Sequence, residues 1–535
     1  MVAESRDADL EGLGSMSASD VARSTVRQLI ELGVSDFVLS PGSRNAPLSL
    51  ALYEASEKGL ISLHVRIDER GAAYFALGLS KASKKYVAVV CTSGTAVANY
   101  HPAALEAYHS NNKLLFLTAD RPARLRKTGA NQTTLQDGVL APLTTIDTDT
   151  RVDCSALLTG GPVHLNIQFD EPLLEKNDSQ DWLGGVHISA EANDEIPQGS
   201  LQLSARSVIV IGHDSAGLSP NVLNQIIASA GLPVIAEDPL SYPNAIPHAA
   251  LFLSDEKIRE KLKADHILVI GRTTLSRSIN AYIGQSNNVV VVDPRAEKID
   301  TARTASQILF AMPTISTAST DAQWIESWKT AGKEAASAIT LQWSEQKVAQ
   351  ILAREIPAGS ALFVGSSRPV RDLEAFGDPR GDLHIFANRG LAGIDGNTST
   401  ACGIAAYYER TYSILGDLTF LHDLSALAHA SADNHTIFIV DNNGGGIFST
   451  LPQAGSDGFE KVFGTPHHID IEKVIQGFGY SVEKVKSESD LARSLHKSGL
   501  HFVVVEVPTR EENAQTLKEL HQRVASAVRM GSNFA

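Results

Sequence analysis

Asp417, Asn442 and the run Gly444-Gly445-Gly446 are residue types that together suit a hard cation carrying a diphosphate. Mg²⁺ takes one or two protein oxygens and fills the rest of its octahedron with phosphate oxygens and water. Asp417 offers a charged oxygen and Asn442 a neutral one. A glycine carbonyl such as that of Gly444 can face the ion, and glycines have no Cβ to hold a diphosphate away.

Such a set works only if the fold brings it together. Tyr412 to Leu415 is a short apolar run, Leu421 to Ala430 repeats apolar residues at helical spacing, and Thr436 to Val440 is β-branched and apolar. The segment therefore reads strand, helix, strand. A right-handed crossover makes the two strands parallel neighbours, so Asp417 and Asn442, each just past a strand, emerge side by side at the carboxyl edge. Taken alone, the pattern also describes an ordinary crossover with a polar loop.

At 535 residues with 43% hydrophobic content, the chain has room for two to four domains with full cores. Its net charge of −15 argues against a nucleic-acid surface, whose affinity comes from Lys and Arg on phosphates. The polar, acidic start MVAESRDADLEGLGS and the lack of a long apolar run predict a cytoplasmic protein with no membrane partner. Cys91, Cys154 and Cys402 have neither disulfide nor zinc spacing and read as small core residues.

The pattern predicts an α/β fold of three doubly wound domains with mainly parallel sheets, at 1–176, 200–320 and 345–535. A helix over 19–32, capped by Ser19-Asp20, leads to a strand Asp36 to Leu39 and then to Ser40-Pro41-Gly42-Ser43-Arg44, where an arginine at a helix start suits an anion. Leu63, Val65 and Ile67 alternate with polar residues, and Asp68 caps a helix of small residues with Glu69 in its first turn. An ordinary first-turn glutamate favoured by the helix dipole fits the same position. Arg121 follows the strand Leu114 to Thr118, where an Asp120–Arg121 pair is the structural alternative. Residues 175–200 read as a linker and 311–345 as a connector with an amphipathic helix. No GxGxxG follows the central strands, so no dinucleotide site is assigned there.

Several motifs together carry a family likeness. Gly416-Asp417-Leu418 with Asn442-Asn443, Asp68-Glu69-Arg70-Gly71, Asp120-Arg121-Pro122 and Asn131-Gln132 resemble the thiamine-diphosphate (ThDP) enzyme superfamily. Leu418 stands where most of that superfamily has a second glycine. With Ser40 to Arg44, Ser366-Ser367-Arg368-Pro369-Val370-Arg371 and Asn388 to Gly396, it is similar to the SEPHCHC synthase (MenD) branch of menaquinone biosynthesis.

The resemblance implies ThDP with Mg²⁺, or Mn²⁺ in its place, held by Asp417, Asn442 and Gly444, with Leu418, Ser367, Ile394, Ile447 and Phe448 around the cofactor. It implies that Glu69, in a dry pocket, hydrogen-bonds N1′ of the aminopyrimidine, and that Arg389 and Gln132 join it as catalytic residues. Substrate contacts fall to Ser43, Arg44, Arg121, Asn131, Gln132, Arg277, Arg371, Arg389, Ile447, Phe448 and Leu451. The implied reaction decarboxylates 2-oxoglutarate and adds the succinyl carbanion equivalent to isochorismate in a 1,4 sense. The two substrates bring four carboxylates, which planar guanidinium forks bind bidentately. A homodimer or homotetramer with active sites at the subunit interface is implied as well. Another ThDP-dependent decarboxylase or carboligase, and a non-catalytic ThDP-binding regulator, are the rival readings. Leu418 and the arginine-rich loops speak against the first, and Glu69 against the second.

Overall fold

Short valine- and isoleucine-rich runs become parallel strands because both of their faces are covered by helices. The computed structural model of the chain describes residues 16–174, 181–188, 198–212, 218–295, 299–301, 303–317, 319–431 and 434–531. The chain divides into two compact units, 1–108 with 112–193 and 109–111 with 194–535.

The first unit is built on β1 (Asp36–Leu39), β2 (Ser62–Val65), β3 (Val87–Cys91), β4 (Leu114–Asp120), β5 (Thr145–Thr148) and β6 (Val163–Gln168), in the order β2-β1-β3-β4-β6-β5. Chain direction across the sheet reverses at β1, so the loops after β1 and β3 flank a topological switch point, where open α/β sheets bind ligands. The helix Glu69–Ser83 is rich in Ala and Gly, and most of it is buried, which small side chains permit at close helix–sheet contact. Its N-cap is Asp68, as expected, with the side chain accepting from the Arg70 amide.

The first helix, Ala18–Glu31, is capped by Ser17 and not by Ser19-Asp20. Asp20 closes the capping box from the third helical position. The supposed linker is also corrected in part. Within it, 181–188 pack back on the first unit, with Leu183 buried in its core and Trp182 Nε1 donating to Glu54 at 2.5 Å. Residues 175–180 and 189–197 lie outside the described residues.

The second unit holds β7 (Ser200–Leu203), β8 (Ser207–Ile211), β9 (Val234–Ala236), β10 (His266–Ile270), β11 (Val289–Val292), β12 (Ala305–Leu309) and β13 (Thr314–Thr317), with a five-stranded sheet ordered β12-β11-β10-β8-β9 and a β13-β7 pair. It also holds β14 (Ala361–Val364), β15 (His384–Phe386), β16 (Thr411–Gly416), β17 (Asn434–Asp441), β18 (Val482–Val485) and β19 (Gly499–Glu506), ordered β15-β14-β16-β17-β19-β18. That order repeats the first sheet's strand for strand, with its switch point between β14 and β16. Every strand pairing among the described residues is parallel.

Residues 311–345 are more than a connector. Trp328 on the helix Ala322–Ala338 is fully buried, edge-on to Tyr282 at 5.5 Å and Phe252 at 6.1 Å, in one core shared with Phe376, Leu520 and Val528. The central sheet and the last sheet are thus tied through one apolar cluster. All three cysteines are buried. Among the described residues no helix is long and apolar enough to cross a membrane.

Candidate active site

β16 and β17 pair in parallel with Gly416 opposite Val440, so Asp417 and the Asp441-Asn442 pair leave the sheet at one edge, as the strand–helix–strand pattern requires. The crossover itself differs from the expected helix over Leu421–Ala430. A helix starts at once, Asp417–His422, stops at Asp423, and continues as a 3₁₀ helix, Leu424–His429. Asp423 provides the reason: its carboxylate turns inward to accept the Ser399 amide at 2.7 Å, breaking the helical run.

Asp417 is 3% exposed and fixed by two backbone amides, Leu418 N–H on Oδ1 at 2.6 Å and Gly444 N–H on Oδ2 at 2.8 Å. Leu418 therefore contributes its amide while its side chain is half-buried. Asn442 donates Nδ2 to Glu345 Oε1, which leaves its Oδ1 buried with no partner among the described residues. A buried amide oxygen without a donor is costly; one beside a buried carboxylate fits a hard cation. The glycine run has a reason beyond the ligand. A Cβ would lie 2.2 Å from Gly464 O at Gly444, 2.4 Å from Phe463 O at Gly445, and 2.4 Å from Asn442 Nδ2 at Gly446. Gly444 also has φ +138°, open to glycine alone.

His467 Nε2 lies 3.3 Å from Asp417 Oδ2 and 3.8 Å from Asp441 Oδ1, and the hydrogen bond to Asp417 raises its pKa. Asp417, Asp441 and His467 bring ligand atoms within 4.8 Å of one another. Mg²⁺ prefers oxygen to imidazole nitrogen, so Asn442 Oδ1 and Asp417 remain the better pair. Sequence reading missed Glu345, Asp441 and His467. Asp441 adjoins the Asn442-Asn443 motif and could have been included, whereas Glu345 and His467 reach the site from distant segments that carry no local signal.

The loop after β14 forms the other side of this switch point. Ser367 has φ +75°, a strained conformation for a residue with a Cβ, of a kind concentrated at ligand-binding loops. Arg371 Nη1 donates to Ser367 O at 2.6 Å. Asn397 accepts the Ser366 amide at 3.2 Å and donates to Gly393 O at 2.9 Å and Asp395 O at 3.0 Å, holding the half-buried Ile394 in its loop. Arg368 is paired with Asp372 and Glu345, and burial pushes the Asp372 carboxyl up to about 7. Arg389 pairs with Glu237 of the central sheet at 2.6 Å. Ile447, Phe448 and Leu451 are half-buried at the same edge. Arg277 is exposed at the first position of the helix Arg277–Ile283.

In the first unit the loops after β1 and β3 touch so closely that a Cβ on Gly42 would lie 2.3 Å from Thr92 Cβ. Arg121 does not pair with Asp120 through its guanidinium. Asp120 accepts the Arg121 amide and pairs with Arg126 at 3.0 Å, while Arg121 Nη1 reaches Ser93 Oγ at 3.0 Å and Gln132 O at 2.7 Å. Gln132, at φ +54°, returns Nε2 to Ser93 O at 3.2 Å, and Asn131 beside it is exposed. Arg44 donates to Phe169 O at 3.1 Å and pairs with Glu171 at 3.2 Å, with Ser43 exposed next to it. Burial first, then the Arg44 charge, push the Arg121 pKa down. Glu69 is half-buried and accepts from Asn99 Nδ2 at 3.3 Å. The expected dry pocket is not made by its own surroundings in this chain.

Residues 19–140 match the description "Thiamine pyrophosphate enzyme, N-terminal TPP binding domain", 177–364 "Middle domain of thiamine pyrophosphate", and 373–507 "Thiamine pyrophosphate enzyme, C-terminal TPP binding domain". The chain is similar to the 2-succinyl-5-enolpyruvyl-6-hydroxy-3-cyclohexene-1-carboxylate synthase of Nocardioides sp. strain JS614, at 38% identity over 94% of this chain and 97% of the relative. Proteins of the same name from Thermobifida fusca and Bacillus cytotoxicus are 37% and 35% identical, covering 95% and 92% of this chain and 99% and 94% of theirs.

Proposed function

From the premise that the chain belongs to the SEPHCHC synthase family of thiamine-diphosphate enzymes, we propose that it decarboxylates 2-oxoglutarate and adds the succinyl unit to isochorismate in a 1,4 sense, with release of CO₂. In this reading Mg²⁺ is the physiological ion, Mn²⁺ can replace it, and the reaction is cytoplasmic. The observation that carries the proposal is the edge of the last sheet, where a buried carboxylate, an amide oxygen with no partner among the described residues and a glycine loop stand at the switch point of a unit that also holds Arg371 and Arg389.

Asp417 and Asn442 Oδ1 would hold the ion and the Gly444–Gly446 loop the diphosphate. Bound ThDP supplies a nucleophilic C2 and an electron sink for decarboxylation. The chain's own residues do the rest. Glu69 holds the proton at N1′. Ile394, Ile447, Phe448 and Leu451 keep water from the reacting centre. Arg371 and Arg389 receive the distal carboxylate of the oxo acid, and Arg44 and Arg121, with Ser43, Asn131 and Gln132 beside them, receive isochorismate. Arg277, exposed on a helix start, is the outermost of the proposed carboxylate contacts. Release of ¹⁴CO₂ from [1-¹⁴C]2-oxoglutarate is the test. Release that depends on ThDP and Mg²⁺ and rises on addition of isochorismate is expected. Release unaffected by isochorismate would sink the carboligase reading and favour a plain 2-oxoacid decarboxylase.

In the proposed homodimer or homotetramer, Glu69 of one subunit and Asp417 of another serve one site. Chains carrying Glu69→Gln and Asp417→Ala, each inactive alone, should therefore complement when co-expressed. Half the dimers would be hybrids with one intact site of two, giving roughly a quarter of wild-type activity. Absence of any recovery in hybrids isolated by two affinity tags would place both residues in a site built from one chain.

A further inference from the structure

Arg389 follows the edge strand β15, yet its guanidinium is held from the central sheet. It is 5% exposed, and its Nη2 donates to Glu237 Oε1 at 2.6 Å. Glu237, 1% exposed, follows the last residue of β9, and its own amide continues the strand by donating to Ile211 O at 3.0 Å. The same carboxylate accepts the Leu275 amide at 3.4 Å. A second central group grips the next residue of the loop, Arg272 Nη1 on Gly390 O at 2.7 Å. Two groups of one domain thus fix the arginine of another.

A buried ion pair with a purely structural task is expected to be closed, every N–H and every oxygen satisfied, because anything less costs more than the pair returns. This one is open. Arg389 Nε is buried with no acceptor among the described residues, and Oε1 of the neighbouring Glu374, 5% exposed, is buried with no donor. Arg371 lies close enough for the Arg368 and Arg389 charges, after burial, to lower its pKa. Arg368 is already committed to Asp372 and Glu345. Burial first and the Glu237 charge second push the Glu374 carboxyl pKa well above its ordinary value.

We propose that Glu237 is a positioning residue that sets the Arg389 guanidinium for the distal carboxylate of the oxo acid, so that the central domain takes part in selecting dicarboxylic over monocarboxylic 2-oxo acids. This rests on the reading that Arg371 and Arg389 receive that carboxylate. Glu237 holds Nη2 of the planar fork and leaves the Nε–H without an acceptor among the described residues, open to the substrate. A guanidinium held on one edge loses less freedom when its other edge is filled.

The test compares kcat/KM for 2-oxoglutarate with that for 2-oxopentanoate, in which a methyl replaces the distal carboxylate, in the full-length enzyme with isochorismate saturating. Glu237→Gln keeps the shape and an acceptor oxygen but not the charge. It should raise KM for 2-oxoglutarate roughly ten- to a hundredfold, the range for a lost charge-assisted hydrogen bond. The value for 2-oxopentanoate and kcat should stay within about threefold. The preference for the dicarboxylate then falls by the same factor, which a merely structural role would not produce, since damage to the fold lowers both substrates alike. Arg389→Ala and the double variant are measured beside it. Because Glu237 acts through Arg389, its substitution should add little in the Arg389→Ala background. A Glu237→Gln enzyme that keeps its preference while Arg389→Ala loses it overturns the positioning role alone. If Arg389→Ala keeps the preference too, the assignment of Arg389 to the distal carboxylate fails and the proposal with it.

Discussion

Asp417→Ala is expected to weaken metal-dependent binding of ThDP by more than about a hundredfold, beyond the 10- to 100-fold typical of residues one shell away from a metal. The side chain is the charged oxygen in the proposed set, held at 3% exposure by the Leu418 and Gly444 amides. Its loss would leave an ion and a diphosphate facing the neutral Asn442 oxygen and glycine backbone. The substitution also orphans the buried Gly444 amide, at a cost of about 1 to 3 kcal/mol, which local shifts of the loop would reduce. Asp417→Asn is the closer companion in shape: it removes the charge and keeps an acceptor for one amide, while the other amide then faces an NH2 donor. Calorimetric titration of ThDP with and without Mg²⁺ reads the effect directly. Near wild-type affinity in both variants would remove Asp417 from the metal site and turn attention to Asp441 and His467, whose ligand atoms lie beside it.

Glu69→Gln is expected to leave ThDP affinity within about threefold of wild type while slowing H/D exchange at C2 of the bound cofactor by ~10² to 10⁴, the usual contribution of a positioned proton-transfer group. An amide cannot hold and release the N1′ proton as a carboxyl does. The competing role, a glutamate in the first turn of the helix Glu69–Ser83, predicts a different result. Loss of a charge from a helix N-terminus costs about 0.3 to 1 kcal/mol of stability, visible in thermal unfolding and invisible in exchange. The two measurements separate the roles, and unchanged exchange with a lowered melting temperature would make Glu69 a helix-dipole residue. Asn99, hydrogen-bonded to Glu69, was not singled out from sequence and is the contact to vary next.

Local pattern carried a large share of what the structure displays. Apolar runs gave away the strand Asp36–Leu39 at its observed bounds and placed Leu114 to Thr118, Tyr412 to Leu415 and Thr436 to Val440 inside β4, β16 and β17, because a parallel strand buried on both faces writes its environment into its own residues. The neighbouring positions of Asp417 and Asn442 followed from a chirality rule that needs no long-range information. The edge strands β5 and β18 were missed. They are only partly buried, and the apolar signal fades as burial is lost.

What the sequence could not provide was the choice of distant partners. Asp120 takes Arg126 in place of its neighbour Arg121, and thereby frees Arg121 for Ser93 and Gln132. Asp423 turns to the Ser399 amide and cuts short a helix that periodicity extends to Ala430. Glu345, His467 and Glu237 reach the Asn442, Asp417 and Arg389 side chains from segments with no motif of their own. A hydrogen-bonding or charged side chain is satisfied by whichever partner the packed backbone brings within about 3 Å. Secondary structure depends on neighbours in the chain and is legible there, whereas the pairing of buried charges depends on neighbours in space and is decided only when the sheets and helices close on one another.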